Sequence, residues 1–442
     1  MEREAGDKMM RISAWALGAL LFAFVLPSAA DAVLYIDINS PGGRRMPLAV
    51  SDFVVLSGAP AFSKEIPKII RSNLGMTDLF ELIPRDAHLE TIRPEHFSGR
   101  RLDFNSWKIL GADAVVIGKV ETRGDKISVE MHIFDVTQGT LVTGKRYSAD
   151  PKQAAWISHR ISNDIIYAFT GVRGIFGTEI AFTARSGRAK EVYLVGMDGS
   201  DLRKLTNNRS FNLFPRWSPD GNWLSFTSFR TGMPIIYLRN PWTGMEKEVV
   251  REGDTKAPGS FSPDGNWLYY SVSIGGNSDI MRTRVVSGAN EKVVTGWGLE
   301  VSPSVSPDGK RLAFVSDRSG SPRVYVKEIG TQKEWRISQD GRYASSPSWS
   351  PTGDRIAYTM RSGGRFAIYV VNPDGSDNRL VVSAPDANCE DPSFSPDGRQ
   401  LVYTYRKKGY SGLKIISVDG RKERILVSGL EDAGSPAWSP VR

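Results

Sequence analysis

The sequence predicts an α/β amino-terminal domain followed by an all-β propeller of six blades. A Ser-Pro pair, continued in most copies by Asp-Gly, recurs at intervals of 44 or 45 residues, at Ser218, Ser262, Ser306, Ser350, Ser395 and Ser439. That period is typical of a propeller blade, a four-stranded sheet that buries both faces only when neighbouring blades stack on it. Residues 33–172 lack the period and alternate helical with strand-like patterns, which indicates a separate domain.

The first 32 residues predict a cleaved signal peptide. Lys8 and Arg11 flank the start of an uncharged apolar run over 12–26, and Ala30-Asp31-Ala32 is typical of a cleavage site. The run is short for a hydrocarbon core of roughly 30 Å, so an uncleaved anchor is the less favoured alternative. We expect the mature chain to begin at Val33 and to be exported. Acidic residues ahead of the run are unusual in such a segment, so translation from Met9 or Met10 is an open alternative.

Charge and cysteine content limit the classes of partner and scaffold. Residues 1–32 hold three Lys/Arg and four Asp/Glu, so their removal changes the formal charge only from +8 to +9. The basic residues form no runs interleaved with aromatics, which argues against a nucleic-acid partner. Cys389 is the single cysteine, so no intramolecular disulfide forms and the residue is predicted to fill a buried position.

Residues 33–172 predict a small α/β sandwich, with residues 171–177 as the linker to the propeller. Hydrophobic periodicity predicts the helices and strands, and Gly and Pro residues mark where they end. In chain order they are a strand over 46–56, a helix over 62–74, a strand over 79–83, a helix over 104–110, strands over 114–122, 126–136 and 141–148, and a helix over 151–170.

Residues 173–442 repeat one blade pattern: a short strand, the Ser-Pro-Asp-Gly turn, and three further strands. Pro fixes φ for a turn, Asp bonds locally, and Gly tolerates the last turn position, so the tetrapeptide is a hairpin corner. The array of repeats begins and ends with an incomplete blade. Residues 179–183 form a second strand without a first, and residues 435–440 form a first strand with nothing after it. Their pairing would close the ring and remove an exposed sheet edge.

The residue inventory argues against an enzyme. All four histidines, His88, His96, His132 and His159, precede the repeats, which excludes a Ser/His/Asp triad inside the propeller. No Gly-x-Ser-x-Gly motif is present. The spacing of the four histidines gives no support for a zinc site, and His88 and His96 fall in what is predicted to be a polar loop. We therefore predict no catalytic residue, no metal and no cofactor, and the sequence gives no support for a cation in the propeller channel.

The repeated aspartates are predicted to be turn residues. Each of Asp220, Asp264, Asp308 and Asp397 belongs to a different blade, so they are too far apart for shared acid–base chemistry. The copy at Ser350 has Thr352 in the aspartate position, which keeps the turn and loses the carboxylate.

With a signal, an α/β domain, six Ser-Pro repeats and a last strand Pro436-Ala437-Trp438, the chain resembles the TolB family, the periplasmic components of the Tol-Pal system. The resemblance covers essentially the whole mature chain. It implies a non-enzymatic adaptor between inner-membrane TolA and the outer-membrane lipoprotein Pal, supporting outer-membrane integrity and constriction during division. We expect a monomer that meets membranes only through its partners; further outer-membrane proteins are also candidate partners.

Two binding sites follow from the resemblance. TolA would engage the mature amino terminus, which here is Val33, Leu34, Tyr35, Ile36, Asp37 and Ile38. Its alternating pattern suits strand addition to a partner, and equally suits an edge strand of its own domain.

Pal would dock at the propeller mouth, whose loops lead into each first strand. The residues predicted to contact it are Phe211, Asn212, Lys256, Glu300, Tyr343, Glu390 and Glu431. Trp297 belongs to the same loops and either anchors a partner or packs between blades.

The alternative function is a secreted propeller enzyme or a glycan-binding module that acts on envelope polymers. Similar blades accompany peptidases and lyases, so the repeat by itself has low specificity.

Overall fold

A computed structural model of the chain describes Ile36 and residues 45–58, 60–98, 102–338 and 343–442. The predicted signal peptide therefore lies outside the described residues, as do five of the six residues predicted to bind TolA. The predicted fold class is confirmed: an α/β domain precedes six four-stranded sheets.

A mixed sheet forms the centre of the amino-terminal domain. Its strands are β1 Met46–Val50, β2 Val54–Ser57, β3 Phe80–Leu82, β4 Ala114–Arg123, β5 Lys126–Asp135 and β6 Thr140–Ala149. The sheet order is β3-β1-β4-β5-β6, and β2 also pairs with β4. Strand β1 runs parallel to β3 and β4, whereas β4, β5 and β6 are antiparallel neighbours.

Two long helices pack on each other and on this sheet. The α-helices are α1 Phe62–Gly75, α2 Phe104–Ile109 and α3 Ala154–Thr170, and short 3-10 turns span Arg85–Ala87, Pro94–Ser98 and Pro151–Gln153. Helix α1 buries Ile66, Ile70 and Leu74, which share one face because they are four residues apart. Gly171 ends α3 in the left-handed conformation at φ 68°, as a helix terminus commonly requires.

Two predicted elements are divided in the structure. The strand expected over 46–56 splits into β1 and β2, because the backbone N–H of Phe53 leaves the ladder and donates to Ser63 O at 2.9 Å. The helix expected over 151–170 begins with a 3-10 turn, in which Asp150 accepts a hydrogen bond from the backbone N–H of Lys152. Each departure depends on one specific hydrogen bond, to a backbone oxygen of the next helix or to the Asp150 carboxylate, which hydrophobic periodicity does not encode.

Each propeller blade is a four-stranded antiparallel sheet. In the first blade the chain contributes β7 Glu179–Ser186, β8 Ala189–Gly196 and β9 Arg203–Lys204. The second holds β10 Asn212–Trp217, β11 Leu224–Ser228, β12 Ile235–Arg239 and β13 Glu246–Val250. The third holds β14 Thr255–Phe261, β15 Trp267–Ile274, β16 Asn277–Arg284 and β17 Asn290–Val294. The fourth holds β18 Glu300–Val305, β19 Arg311–Ser316, β20 Arg323–Glu328 and β21 Glu334–Arg336. The fifth holds β22 Ala344–Trp349, β23 Ile356–Ser362, β24 Arg365–Val371 and β25 Arg379–Val382. The sixth holds β26 Asn388–Phe394, β27 Gln400–Lys407, β28 Tyr410–Ser417 and β29 Glu423–Val427, and β30 Gly434–Trp438 completes the first.

The last strand closes the ring. Strand β30 pairs antiparallel with β7, with Ala437 opposite Ala181 and Trp438 opposite Ile180. The backbone N–H of Ser439 donates to Glu179 O at 2.8 Å, and the N–H of Glu179 donates to Ser439 Oγ at 3.0 Å. The predicted closure is confirmed, and the first blade is built from both ends of the array.

The Ser-Pro repeat forms the turn after the inner strand in the second to sixth blades, as predicted. In the second blade Ser218 Oγ donates to Asp220 Oδ1 at 2.5 Å, and the backbone N–H of Trp223 donates to Ser218 Oγ at 2.9 Å. The same serine-to-aspartate bond holds the turns at Asp264, Asp308 and Asp397. At Thr352 the carboxylate comes instead from Asp354, which accepts from Ser350 Oγ at 2.8 Å. The pKa of Asp264 and that of Asp308 lie below the usual range because of their serine partners.

The amino-terminal domain contacts the propeller at its turn end, the end that carries these turns. Lys422, in the turn between β28 and β29, donates from Nζ to Gly75 O at 2.8 Å and to Thr77 O at 3.1 Å. His159 of α3 lies 3.9 Å from Asp198, in the turn between β8 and β9. Since strands alternate in direction, the loops that lead into the inner strands lie at the opposite end, here called the loop face.

Candidate protein-binding site at the propeller axis

The six inner strands, β10, β14, β18, β22, β26 and β30, line a central channel with a volume of about 780 Å³. A strand of six residues, such as β10, spans about 20 Å at roughly 3.3 Å per residue. The lining runs from Thr255 and Leu299 near the loop face to Pro219 and Pro440, which follow β10 and β30 at the turn end. The cavity is therefore elongated along the propeller axis.

Each inner strand contains a bulge at the same place. The pairing register with the second strand of the blade shifts there in all six blades, for example between Leu213 and Arg216. In five blades the residue before the bulge proline has a positive φ of 51–56°, namely Phe214, Ser302, Ser346, Asp391 and Ser435. Such conformations are costly outside glycine, so the surrounding pairing must hold them. The bulge re-aims side chains toward the channel, and Phe214 lies in its wall.

Three serines, here called the inter-blade serines, tie neighbouring blades together below the bulge. The backbone N–H of Val305 donates to Ser260 Oγ at 2.7 Å, and the N–H of Trp349 donates to Ser304 Oγ at 3.0 Å. Trp438 makes the equivalent bond to Ser393 at 3.1 Å. The residue at this position of the second blade is Arg216.

Among the described residues, three charged ones line the channel: Arg216, Lys256 and Asp391. Lys256 Nζ is satisfied by Pro234 O at 2.6 Å and Gly253 O at 2.7 Å. Asp391 Oδ1 accepts from Ser346 Oγ at 2.8 Å. Arg216 is not among the site residues predicted from the sequence. The signal that could have found it is the alignment of the repeats, because four of the six equivalent positions hold serine.

Three aromatic side chains are exposed on the loop face. Trp297 is 97 % exposed, Phe211 53 % and Tyr343 38 %. The ring of Tyr343 packs edge-on against Phe366, with 5.5 Å between ring centroids. Trp297 therefore projects from the loop before β18. Of the two positions that the sequence left open for Trp297, packing between blades is not the one observed.

Three of the residues predicted to contact Pal are buried beneath these loops. Asn212 is 0 %, Lys256 5 % and Glu300 1 % exposed. Asn212 Nδ2 donates to Glu191 Oε2 at 2.9 Å, and Glu300 Oε1 accepts from Arg318 Nη2 at 3.0 Å. Burial lowers the pKa of Lys256 and raises that of Glu300. In this structure the three side chains are buried and bonded to neighbouring residues, which holds the loops in place.

The remaining predicted residues lie at the rim. Glu431 is exposed, and its backbone oxygen accepts from the N–H of Arg185 at 2.8 Å. Glu390 is half-buried, 3.9 Å from Arg406, and burial raises its pKa. Together with Phe211 and Tyr343, these residues are spread around the channel mouth and do not form one cluster with the buried three.

One residue of the predicted TolA-binding segment is described. Ile36 is half-buried outside any strand, and its backbone N–H donates to Phe169 O of α3 at 2.7 Å. Ile36 is thus anchored at the carboxyl end of α3. Val33, Leu34, Tyr35, Asp37 and Ile38 lie outside the described residues.

The histidines occupy structural positions. His96 is 7 % exposed, so the loop predicted to be polar is partly buried. Its Nε2 lies 3.6 Å from Glu90, and His132 Nε2 lies 3.1 Å from Glu130. Within the described residues no group of three or more His, Cys, Asp or Glu is arranged to hold a metal ion. Cys389 is fully buried, and burial raises the pKa of its thiol to about 12.

Family models match both parts of the chain. The model of the TolB beta propeller domain matches residues 166–442, and that of the TolB amino-terminal domain matches residues 34–142. The chain belongs to the TolB family. No helix within the described ranges combines the length and apolarity needed to cross a membrane.

Known TolB proteins agree with this assignment. The chain is 33% identical over 255 residues to a protein TolB homolog of Chlorobium luteolum, covering 57% of this chain and 58% of that protein. It is 34% identical over 224 residues to the Tol-Pal system protein TolB of Syntrophus aciditrophicus, covering 49% of this chain and 50% of that one. The chain thus spans about half the length of the curated relatives it matches. The crystal structure of TolB from Acinetobacter baumannii is similar with a TM-score of 0.80 at 25% identity, covering 90% of this chain and 97% of that one.

Proposed function

We propose that this TolB-family chain is a non-enzymatic periplasmic adaptor of the Tol-Pal system that links inner-membrane TolA to the outer-membrane lipoprotein Pal. In that role it supports outer-membrane integrity and constriction during cell division. The observation that carries the proposal is the loop face, which presents Phe211, Trp297 and Tyr343 around the channel mouth, at the end of the propeller opposite the amino-terminal domain. Relatives named Tol-Pal system protein TolB support the same role.

Pal is proposed to dock on the loop face. Exposed aromatic side chains are the residues that most often dominate the binding energy of protein interfaces. Phe211, Tyr343, Glu390 and Glu431 are the proposed direct contacts, with Trp297 added because of its exposure. Asn212, Lys256 and Glu300 are proposed to act indirectly, by fixing the loops that carry the contacts.

Titration of purified Pal into the purified chain tests this surface. Replacement of Trp297 by Ala is expected to weaken Pal binding by about thirty-fold, since truncation of an interface hot spot costs about 2 kcal/mol or more. Val286→Ala is the matched control, because Val286 is 91 % exposed at the turn end, between β16 and β17. Equal affinities of both variants and the parent chain would contradict the docking site.

TolA is proposed to bind the segment from Val33 to Ile38 by strand addition, in exchange for its contact with α3. Ile36→Pro removes the N–H that bonds to Phe169 O and also blocks strand pairing. It is expected to abolish TolA binding while Tm changes little, because one hydrogen bond contributes only about 1 kcal/mol. Ile36→Val keeps the N–H and the strand pattern and should bind normally. A large fall in Tm on deletion of Val33–Ile38 would favour an edge strand of the chain's own domain instead.

The same purified chain can be used to test the alternative function, an enzyme or a glycan-binding module. Turnover of an envelope oligosaccharide or peptide by the purified chain, without Pal binding, would replace the adaptor proposal. The four histidines all lie before the propeller and line no part of its channel.

A further inference from the structure

The hairpins that join the second and third strands of the blades form an outer ring on the loop face. They lie at this end because the second strand of each blade runs back from the turn end. In the fifth, sixth and first blades, residues 361–365, 406–409 and 185–188 of these hairpins contain seven Lys or Arg and no Asp or Glu. The sixth blade contacts both the fifth and the first, so the three basic segments are neighbours around the rim and are here called the basic arc.

Most cations of the basic arc have no carboxylate partner. Among the described residues, its ion-paired members are Arg406, 3.5 Å from Asp432, and Lys407, 3.6 Å from Asp386. The other members are exposed and form no ion pair within that part of the chain: Arg185, Arg188, Arg361, Arg365 and Lys408. The exposed and half-buried acids around the mouth of these blades are fewer than the cations: Asp386, Glu390, Asp391, Glu431 and Asp432. This half of the rim therefore carries a net positive charge.

The opposite half of the rim presents apolar side chains from three separate loops. Met233 is 59 % exposed in the hairpin of the second blade, Ile274 is 62 % exposed in that of the third, and Trp297 is 97 % exposed before the fourth. The turn beyond Ile274 consists of Gly275 and Gly276, and a Cβ added to either glycine would meet no atom within 4 Å. The tip of this hairpin is therefore uncovered.

The two halves together suit the surface of an anionic bilayer. Each Lys or Arg close to such a surface strengthens binding by about five-fold. Tryptophan concentrates at the membrane–water boundary because its ring is apolar and its N–H is polar, and exposed aliphatic side chains add apolar area that leaves water among the headgroups. A protein partner would instead meet a compact patch with its anchors near the centre, whereas these residues are distributed around the rim.

We propose that the rim of the loop face binds an anionic phospholipid surface, with the basic arc on the headgroups and Met233, Ile274 and Trp297 inserted between them. The amino-terminal domain does not obstruct this contact, because it meets the propeller at the turn end. The proposal adds a direct lipid contact to the expectation that the chain meets membranes only through its partners. It does not rest on Pal, which is proposed to dock at the mouth inside the rim. Trp297 belongs to both surfaces, so lipid and Pal would compete for it.

Sedimentation with lipid vesicles tests the contact in the absence of any partner protein. The exported chain, beginning at Val33, is used so that the apolar run of the predicted signal peptide does not contribute. One set of vesicles is pure phosphatidylcholine, and the other contains phosphatidylcholine and phosphatidylglycerol in equal parts. The chain is expected to bind the anionic vesicles at least about ten-fold more tightly, because unpaired cations face the headgroups. The preference should decrease as salt is raised, because mobile ions screen exposed charges.

A variant that combines Arg188→Gln, Arg361→Gln and Lys408→Gln removes three exposed cations from the basic arc. It should bind the anionic vesicles about 100-fold more weakly, since each cation contributes about five-fold. The matched control combines Lys64→Gln, Lys68→Gln and Lys310→Gln, which removes the same charge from exposed positions on α1 and in a turn at the turn end. The control should lose less than about ten-fold, because those positions lie beyond the screening length from the bilayer. Near-UV circular dichroism checks that both variants are folded.

A fluorophore on the thiol of Ile274→Cys reports whether the apolar half of the rim enters the bilayer. Cys389 is fully buried, so the introduced thiol is the one that reacts. The emission is expected to shift to shorter wavelength on the anionic vesicles. The same fluorophore on Val286→Cys, at a position that is 91 % exposed at the turn end, should show no shift.

Equal binding to the two kinds of vesicle, equal losses in the two triple variants, or no shift of the fluorophore at position 274 would each overturn the lipid contact. Poly-L-glutamate tests an acidic protein as the occupant. If it bound the chain more tightly than the anionic vesicles at equal concentration of negative charge, an acidic protein would replace the bilayer, whereas weaker binding supports the bilayer. Absence of Pal binding in a separate titration would leave all of these results unchanged.

Discussion

Trp438 offers the most direct test of how the ring is closed. Its side chain is 7 % exposed within the last strand, its Nε1 donates to Thr178 Oγ1 at 2.9 Å, and its backbone N–H donates to Ser393 Oγ at 3.1 Å. Burial of a tryptophan removes roughly 150–250 Å² from water, which at about 25 cal/mol per Å² corresponds to about 4–6 kcal/mol as an upper estimate. Thr178 Oγ1 also donates to Ile175 O at 2.8 Å, so the lost indole bond leaves no isolated donor.

We therefore expect Trp438→Ala to lower the free energy of unfolding by about 3–5 kcal/mol, the usual range for such a truncation in a core. The assay is equilibrium denaturation in urea, followed by far-UV circular dichroism so that the loss of the indole does not alter the signal. Trp297→Ala is the matched control, since a side chain that is 97 % exposed should change stability by no more than about 0.5 kcal/mol.

A second control separates closure from ordinary burial. Trp349 has the same exposure, 7 %, at the equivalent position of the fifth blade, where chain connectivity already holds the blade together. If closure by β30 matters to the whole ring, Trp438→Ala should cost at least as much as Trp349→Ala. A cost below about 1 kcal/mol for Trp438→Ala would refute the view that this strand completes the packed ring.

Three further predictions concern single side chains. Arg318→Ala should lower the free energy of unfolding in urea by about 3 kcal/mol, because it removes the charged partner of Glu300, which is 1 % exposed. Lys333→Ala, which breaks an exposed pair with Glu328, should lower it by under about 1 kcal/mol. Equal losses of stability in the two variants would contradict this prediction. Burial lowers the pKa of His159, despite the opposing charge of Asp198, so the unfolded chain binds the proton first and stability should fall as pH drops below about 6.5. His159→Gln should reduce the change in Tm between pH 5 and pH 7. If the dependence of Tm on pH is the same in the variant, another group causes the loss of stability. Ser302→Gly should be nearly neutral because the φ of Ser302 is 56°, a value that glycine adopts readily. Ser304→Gly should cost about 1 kcal/mol or more, since Ser304 Oγ accepts the N–H of Trp349. Thermal melts that reverse this order would refute the role of the inter-blade serines.

The spacing of the turns was sufficient to predict the architecture. Ser218 and its counterparts bond to residues two and five positions away, so the information for each turn is local and repeats with the blade. Helix and strand bounds in the amino-terminal domain were also largely predictable, because periodicity reports which face of α1 or β5 meets the core. The division of one predicted strand at Phe53 was not, since it depends on a bond to Ser63 in the following helix.

The candidate site was predictable only in outline. The loops that surround the mouth follow from the topology, but the exposure of each side chain depends on how adjacent loops pack, for which a single sequence has no local signal. Lys256 and Glu300 resemble surface residues in the sequence, yet Lys256 is held by the carbonyls of Pro234 and Gly253 and Glu300 by Arg318. Trp297 resembles a core residue and is almost fully exposed.

The sequence by itself determined six blades, the structural role of the repeated aspartates and the closure of the ring by residues 435–440, because turn chemistry and strand pattern act over a few neighbouring residues and repeat with a fixed period. Tertiary structure alone decided which rim residues face solvent and that Arg216 lies in the channel wall. Those properties arise from six separate blades that meet around one axis, so residues about 44 positions apart become neighbours, and their packing against one another determines what each side chain can bind.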